Sequence, residues 1–515
     1  MHNKEAFSKI VEAGYQFKGP SLLLGGAMLD KACITGLPVR IPMKTLNRHG
    51  LIAGATGSGK TKTLQIIAEQ LSREGVPSLL MDVKGDLSGI AVPSTGHPKI
   101  EERHEKIGFA YTSSGSPVEF LSLSDEPGAR LRATVSEFGP VLFSKILDLN
   151  ETQSSVVSVI FKYCDDNDLP LLDLKDFKKV LQFITGDGKD ALEDEYGRIS
   201  SASTGAIIRK IVELEQQEAD RFFGERSFVV NDLCATDSNG NGIVSIIRLT
   251  DIQDRPKLFS TFMLQILAEI YQQFEEVGDL DKPKLAIFID EAHLIFEEAS
   301  RALLDQIETI VKLIRSKGVG IFFVTQNPTD IPDDVLGQLG LKVQHALRAF
   351  TAKDRKAIKL AAENYPITDF YDISTLITEL GIGEAFVTAL NEKGIPTPLV
   401  HTMLRAPESR MDVLTDAEIK DILDKSELIE FYNKEIDRES AYEILSEKMD
   451  KVREEEAKKA RESARQKTTS SRRTSSRKQK STFDQILDTT TKRQIGRTIA
   501  RELTRGLLGV LGMKK

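Results

Sequence analysis

The run Gly54-Ala55-Thr56-Gly57-Ser58-Gly59-Lys60-Thr61 satisfies G-x-x-x-x-G-K-[ST] in full, and it stands between the apolar stretch Leu51-Ile52-Ala53 and a helix-like stretch beginning at Thr61. No other feature restricts the fold as tightly. Glycines let successive backbone N–H groups wrap a phosphate chain, and the start of the following helix adds a partial positive charge, so the run requires a strand before it and a helix after it. The predicted nucleotide-binding set is Gly54, Ala55, Thr56, Gly57, Ser58, Gly59, Lys60, Thr61 and Lys62. Lys60 is expected to reach the β- and γ-phosphates, and the Thr61 hydroxyl to hold Mg²⁺.

The surrounding pattern agrees. LIAG, TKTLQIIAEQLSREG and PSLLMDV read as strand, helix and strand, a unit that implies a parallel sheet. Further strands are predicted at 242–249, 285–290, 320–325, 342–350 and 384–390, all short, rich in Val, Ile and Phe, and apolar on both faces as central parallel strands are. Residues 1–50 read as a short β-containing leader. The sheet domain occupies 51–130 and resumes over 231–410. Between them, 131–230 carries apolar residues at three- and four-residue spacing and is predicted to be a helical insertion. A helical extension (411–460), a Ser/Thr/Lys/Arg low-complexity linker (461–481) and a basic amphipathic helix (482–515) complete the chain. In that last helix Ile495, Ile499, Leu503 and Leu507 form one row and Arg493, Arg497, Arg501 and Arg505 another, on opposite faces. Docking on protein, nucleic acid or an anionic membrane surface would each use such a helix.

Two adjacent acids close the predicted strand Leu285–Ile289. Strand-end carboxylates lie at the carboxyl edge of an open α/β sheet, where ligands bind. Asp290 is the expected Mg²⁺ partner, through water, and Glu291 the expected general base for an attacking water. An acidic turn can close any strand, and the catalytic reading depends on its coming beside the phosphate loop. Gln326 follows the strand GIFFVT and is expected to sense the γ-phosphate or orient water. Asp82, Lys84 and Asp86 follow another strand, where lining the site and capping a loop are equally good accounts. Arg315, Arg348 and Arg355 are candidates for the added positive charge that efficient P-loop hydrolysis requires. Arg315 comes between a helix and a turn, where it would serve a neighbouring subunit.

These residues resemble the HerA/FtsK superfamily of RecA-like motor ATPases, and in particular the bacterial HerA-like ATPases of the YjgR type. The resemblance runs through Arg48-His49-Gly50 into the phosphate loop, MDVKGDLSG, LDLNETQ, GDLDKPKLAIFIDEAHLIF and LIRSKGVGIFFVTQNPTDIPDDVLGQLG with its continuation VQHALRAFTAKDRKA, covering about residues 15–405. It implies an α/β RecA-like P-loop NTPase core with a mostly parallel sheet, a helical insertion subdomain and a basic C-terminal tail. It also implies ATP and Mg²⁺ as cofactors and a hexameric ring of identical subunits with ATP sites between them. Lys60, Thr61, Asp290, Glu291 and Gln326 fall on the family's nucleotide and catalytic positions, and Arg315 near that of a trans-acting arginine. HerA proteins begin with a β-barrel, for which the stretch ahead of Gly54 is too short. The helical insertion is similar to those of conjugation and secretion ATPases.

Other readings meet specific obstacles. Asp290-Glu291-Ala292-His293 spells the box of two-lobed helicases, yet it lies 230 residues after Lys60 and no Q-R-x-G-R-x-G-R arginine motif appears. A GTPase would need N/T-K-x-D, which is absent, so ATP is favoured. With 40% apolar and 28% charged residues and three scattered cysteines, the chain reads as globular with neither a disulfide framework nor a zinc site. At ~150 residues per domain its 515 residues suggest about three domains. No secretory signal or membrane span is evident, which points to the cytoplasm. The net charge of −8 divides unevenly: residues 452–515 carry 18 Lys and Arg against 7 Asp and Glu, a balance of +11 that leaves −19 on the rest. An acidic body does not coat nucleic acid with its whole surface, so double-stranded DNA would have to meet a local channel or the tail. A protein substrate or a membrane surface is the alternative partner.

Overall fold

The computed structural model describes residues 3–467, apart from 252–254, 279, 297–300 and 437. The predicted basic helix at 482–515 and most of the linker lie outside the described residues. Within them the chain forms two compact units, one of residues 1–132 and 226–434, the other of 133–225 and 435 onward.

The first unit is built on a sheet whose strands are β1 (Ser21–Leu29), β2 (Ala32–Pro42), β3 (Gly50–Ala53), β4 (Ser78–Asp82), β5 (Val118–Ser122), β6 (Ala129–Arg130), β7 (Val244–Arg248), β8 (Leu285–Ile289), β9 (Val319–Thr325), β10 (Leu341–Gln344), β11 (Glu384–Thr388) and β12 (Val400–Leu404). Their order is β2-β1-β12-β11-β10-β3-β9-β8-β4-β7-β5-β6. From β10 to β6 all neighbours are parallel. From β10 back to β2 all are antiparallel.

The central parallel strands β3, β4, β8 and β9 are buried along their whole length, as the apolar runs Leu285–Ile289 and 319–324 require. The helix Lys60–Arg73 covers one face. Its Leu64, Ile67 and Leu71, at three- and four-residue spacing, join Ile52, Leu80, Phe288, Phe322, Val324 and Val343 in one core. Phe288 and Phe322 stack across β8 and β9 with centroids 4.7 Å apart.

The leader is not separate from this sheet. β1 pairs with β12, Gly25 opposite Leu404, so residues 21–42 form its antiparallel edge. The preceding helix Lys4–Tyr15 buries Phe7, Val11 and Tyr15, four residues apart, and the Tyr15 hydroxyl donates to the carbonyls of Val387 (2.9 Å) and Pro398 (2.7 Å). Two strand expectations also change. β10 ends at Gln344, and residues 345–350 leave the ladder because the His345 and Ala346 backbones turn back onto the phosphate loop. β11 runs antiparallel to β10, unlike the central strands.

The second unit is helical. Val135–Ile146, Glu151–Asp166 and Leu174–Thr185 each start with a reciprocal capping box, from Thr134/Glu137, Asn150/Gln153 and Asp173/Asp176. Phe143, Phe161 and Phe177 meet at its centre. The expected extension at 411–460 divides between the units. Tyr432 is fully buried in the first, where Asn433 donates to the Gly128 carbonyl (2.9 Å). Ala441 N–H donates to Pro170 in the second (2.9 Å) and opens a helix that reaches Lys467, seven residues into the expected linker. Glu, Ala, Arg, Gln and Lys are strong helix formers, and they carry the helix on.

Phe288→Ala should leave a void between the two central strands, and cost about 3–5 kcal/mol of stability. A fall in the denaturant midpoint of the sheet unit, followed by tryptophan-free far-UV circular dichroism, measures it.

Candidate active site

Gly54 leaves β3 with its N–H on the Thr325 carbonyl (3.2 Å), and Ala55 donates to the Ala346 carbonyl (2.7 Å). The loop is thereby pinned to the ends of the strands on both sides of β3. Gly54, Gly57 and Gly59 have φ of 155°, 77° and 113°, positions that favour glycine. At Gly54 space also forbids a side chain, because a Cβ would lie 2.5 Å from the His345 Cβ. The Ser58 hydroxyl and the Lys60 ammonium reach back to the Ala55 carbonyl at 2.7 and 3.3 Å, closing the loop into a cup at the start of the helix Lys60–Arg73. Lys60 is buried, and burial followed by the nearby Lys84 cation lowers its pKa.

Sequence reasoning did not single out His345. It is fully buried, its Nε2 lies 2.8 Å from the Thr63 hydroxyl, and its ring packs beneath the loop. Burial, then Lys60, pushes its pKa down to about 3, so it is a neutral strut. The one available signal was a histidine at the end of a buried strand, which is common without function.

The acids arrive two strands away. β9 lies between β3 and β8, with Ala53 opposite Thr325 and Ile289 opposite Phe323, so Asp290, Glu291 and Gln326 emerge at the same sheet edge as the loop. Both acids are buried, Asp290 at 2% and Glu291 at 5% exposure. Their environments oppose each other. Burial drives the Asp290 carboxyl up to about 7 against the pull of Lys84, and its Oδ2 has no hydrogen-bond partner among the described residues. Burial also raises Glu291, but the ion pair with Lys84, then His293 and Lys60, outweighs it and the net shift is downward. Glu291 adopts φ 47°, a left-handed backbone uncommon for a non-glycine residue. Its Oε2 accepts from Gln326 Nε2 at 3.5 Å and lies 3.2 Å from His293 Nδ1. Gln326 Oε1 in turn meets the Thr56 hydroxyl at 3.5 Å, so it bridges the phosphate loop and the acid.

A buried carboxylate oxygen lacking a hydrogen-bond partner among the described residues, at the sheet edge where the helix Lys60–Arg73 begins, suits a divalent cation. Asp290 and Thr61 could hold one. Asp82 serves the loop instead: it accepts from the N–H groups of Gly85 (2.7 Å), Asp86 (3.1 Å) and Leu87 (3.1 Å), and burial lifts its pKa to about 6.

Two expected residues stand apart from this cluster. Lys62 donates to the Met411 carbonyl (2.6 Å) and to Gln65 (3.2 Å), on the wall of an adjoining cavity. Arg315 precedes β9, whereas Gln326 follows it, and the Arg315 carbonyl accepts from Asn47 just ahead of β3 (3.4 Å). Seven strand residues at ~3.3 Å each put it about 20 Å from the acids, at the opposite sheet edge. The adjoining cavity, about 390 Å³, is walled by Gly59, Thr63, Ile66, Ile100, Ile382 and Met411. Arg103 lines it but is committed to the carbonyls of Gly383 (3.1 Å) and Leu404 (2.9 Å). A mainly apolar cleft continuous with a phosphate cup fits a planar base.

Fold and site together define a P-loop nucleotide-binding protein with a RecA-like core. The chain belongs to the Helicase HerA-like C-terminal family, which matches residues 30–515. It is 20% identical over 380 residues to the DNA double-strand break repair helicase HerA of Sulfolobus acidocaldarius, covering 72% of this chain and 68% of that one. The HerA of Sulfurisphaera tokodaii is 23% identical over 368 residues, covering 70% and 66%. The chain thus spans about two thirds of the length of these relatives. The bacterial conjugative coupling protein TrwBdeltaN70 shares the fold at a TM-score of 0.51 and 14% identity, over 79% of this chain and 94% of that one.

Gly54→Ala should abolish binding of a fluorescent ATP analogue, because the cup cannot close over a Cβ. For Asp290, the folded carboxyl titrates near 7 and an unfolded one near ~3.9, so the folded chain binds the proton more tightly and the buried charge costs stability as pH rises through that interval. Asp290→Asn should therefore raise metal-free stability more at pH 8 than at pH 5, by about 2–3 kcal/mol. Added Mg²⁺ should raise the thermal midpoint of the native protein and leave that of Asp290→Asn unmoved.

Proposed function

We propose that this protein hydrolyses ATP and that a ring of its subunits uses the turnover to move along double-stranded DNA. The observation that carries the hydrolytic reading is the convergence of the phosphate cup, the partnerless Asp290 oxygen and the Glu291–Gln326 pair at one sheet edge. ATP would lie with its base in the cavity beside Gly59 and its γ-phosphate towards Lys60 and Gln326. Glu291 takes a proton from water, the water oxygen bonds to the γ-phosphorus, and the bond to the bridging oxygen breaks with its electrons leaving on ADP. Thr61 and Asp290 would hold Mg²⁺, which would supply charge that neutralises the phosphates. Gln326 positions the water or senses the γ-phosphate.

Arg315 fits this scheme only from a neighbouring subunit, since its own sheet edge is the remote one; a hexamer with shared sites is the assembly that would use it. DNA as the polymer rests on the family and on relatives named as DNA double-strand break repair helicases. One observation favours another substrate. Outside the basic tail the chain carries −19, which repels a phosphate backbone and suits an ATPase that moves protein or works at a membrane surface. Among the described residues no helix is long and apolar enough to cross a membrane.

Glu291→Gln should bind ATP normally and lower kcat by at least ~100-fold. Double-stranded DNA should raise the native rate severalfold, and particle mass should correspond to a ring. An unchanged rate with DNA selects the protein or membrane substrate, and full turnover by a monomer rules out shared sites.

A further inference from the structure

Lys84 occupies a place that the scheme above leaves unexplained. It stands on the loop after β4, and the buried Asp82 cap on the next three N–H groups fixes where that loop leaves the sheet. β4 neighbours β8, so the loop passes directly alongside the acids. There the Lys84 ammonium forms an ion pair with Oε1 of Glu291. The other carboxylate oxygen faces Gln326 (3.5 Å) and His293 (3.2 Å). The carboxylate is thus held on both oxygens by side chains from three segments, while its own backbone sits in a left-handed conformation that resists relaxation elsewhere. A base must offer a lone pair to the water it deprotonates, and here a full cation lies on one of them. Lys84 is also only partly buried, at 36% exposure of its side chain, so the pair can open towards solvent without a cavity being left behind.

We propose that Lys84 is a restraining residue for Glu291: the ion pair keeps the carboxylate from the water, and turnover requires the pair to open. This rests on the hydrolytic reading above and adds to it a residue that controls the base. Lys60 already supplies the ammonium of the phosphate cup, so a second lysine bonded to the acid acts on the acid. Its opening is the natural point at which a neighbouring subunit or a bound polymer sets the rate, because the Lys84 loop is the partly exposed member of the pair.

The test uses the full chain in steady-state ATP hydrolysis without added polymer. Lys84→Met should raise kcat by roughly fivefold or more, since a hydrogen bond to a charged group is being removed from the ground state alone. KM for ATP should stay within about twofold. Lys84→Arg, which keeps the cation, should fall between Lys84→Met and the native protein. Lys84→Met combined with Glu291→Gln should be as inactive as Glu291→Gln alone. A fall in kcat, or a severalfold rise in KM, in a Lys84→Met protein with native thermal midpoint overturns the restraint and makes Lys84 a phosphate ligand or a support. Should Lys84→Met fail to fold, Lys84→Gln carries the same reading. Failure of the hydrolytic reading looks different: the native protein then binds ATP without turnover, or Glu291→Gln turns over at the native rate, and the restraint falls with it.

Discussion

Strand β9 hydrogen-bonds on one side to the strand that delivers the phosphate loop and on the other to the strand that delivers the acids. That double pairing sets every distance in the site. Because parallel register aligns Ala53 with Thr325 and Ile289 with Phe323, the loop, the amide of Gln326 and the carboxylates of Asp290 and Glu291 leave the sheet within a residue or two of the same level. A one-residue slip would turn the side chains of β9 to the other face and separate Phe288 from Phe322. The apolar core beneath the site is therefore also what specifies its geometry. The Ala292 N–H on the Val324 carbonyl (2.9 Å) extends the ladder past the strand and fixes the turn that carries the acids.

Two neighbouring carboxyls in one buried corner acquire opposite tendencies from their surroundings. Asp290 is left without a cation of its own and is driven towards the neutral form; Glu291 is paired and stays ionised. This division suits the two tasks proposed for them, since a site for a divalent cation gains from an acid whose charge is uncompensated and a base gains from one that remains charged. Beneath them, His345 supports the cup as a neutral group. A charged imidazole there would lie buried beside the Lys60 ammonium, and both burial and repulsion oppose it.

The phosphate loop, the two acids and Gln326 were legible because each depends on local signals: glycine spacing, and polar residues closing apolar runs. The same holds for the helical insertion, whose capping boxes are written within four residues. What escaped depends on partners far along the chain. β5 and β12 carry too little apolar periodicity to be recognised alone, and β12 is a strand because β1 and β11 flank it. The run 342–350 reads as one strand, yet the phosphate loop captures its second half through Ala55 and Thr63. Lys84 gave two equal accounts in sequence, and only the lateral approach of β4 to β8 separates them. Arg315 kept its expected place between helix and turn, but the direction of β9 puts that place at the far edge of the sheet.

The helix that starts at Lys60 is clasped by residues encoded much later. Gln65 donates to Ser409 (2.7 Å) and to the Arg410 carbonyl (2.9 Å), and the buried Glu69 accepts from the N–H groups of Glu408 and Ser409 (2.8 and 3.1 Å). β1 likewise waits for β12. During synthesis at ~5–20 residues per second, some 340 residues must leave the ribosome after Gln65 before this clasp can form, an interval of tens of seconds. Through that interval the nascent sheet has apolar strand edges open to other chains, so the hazard of pairing with a wrong strand is greatest before the clasp closes.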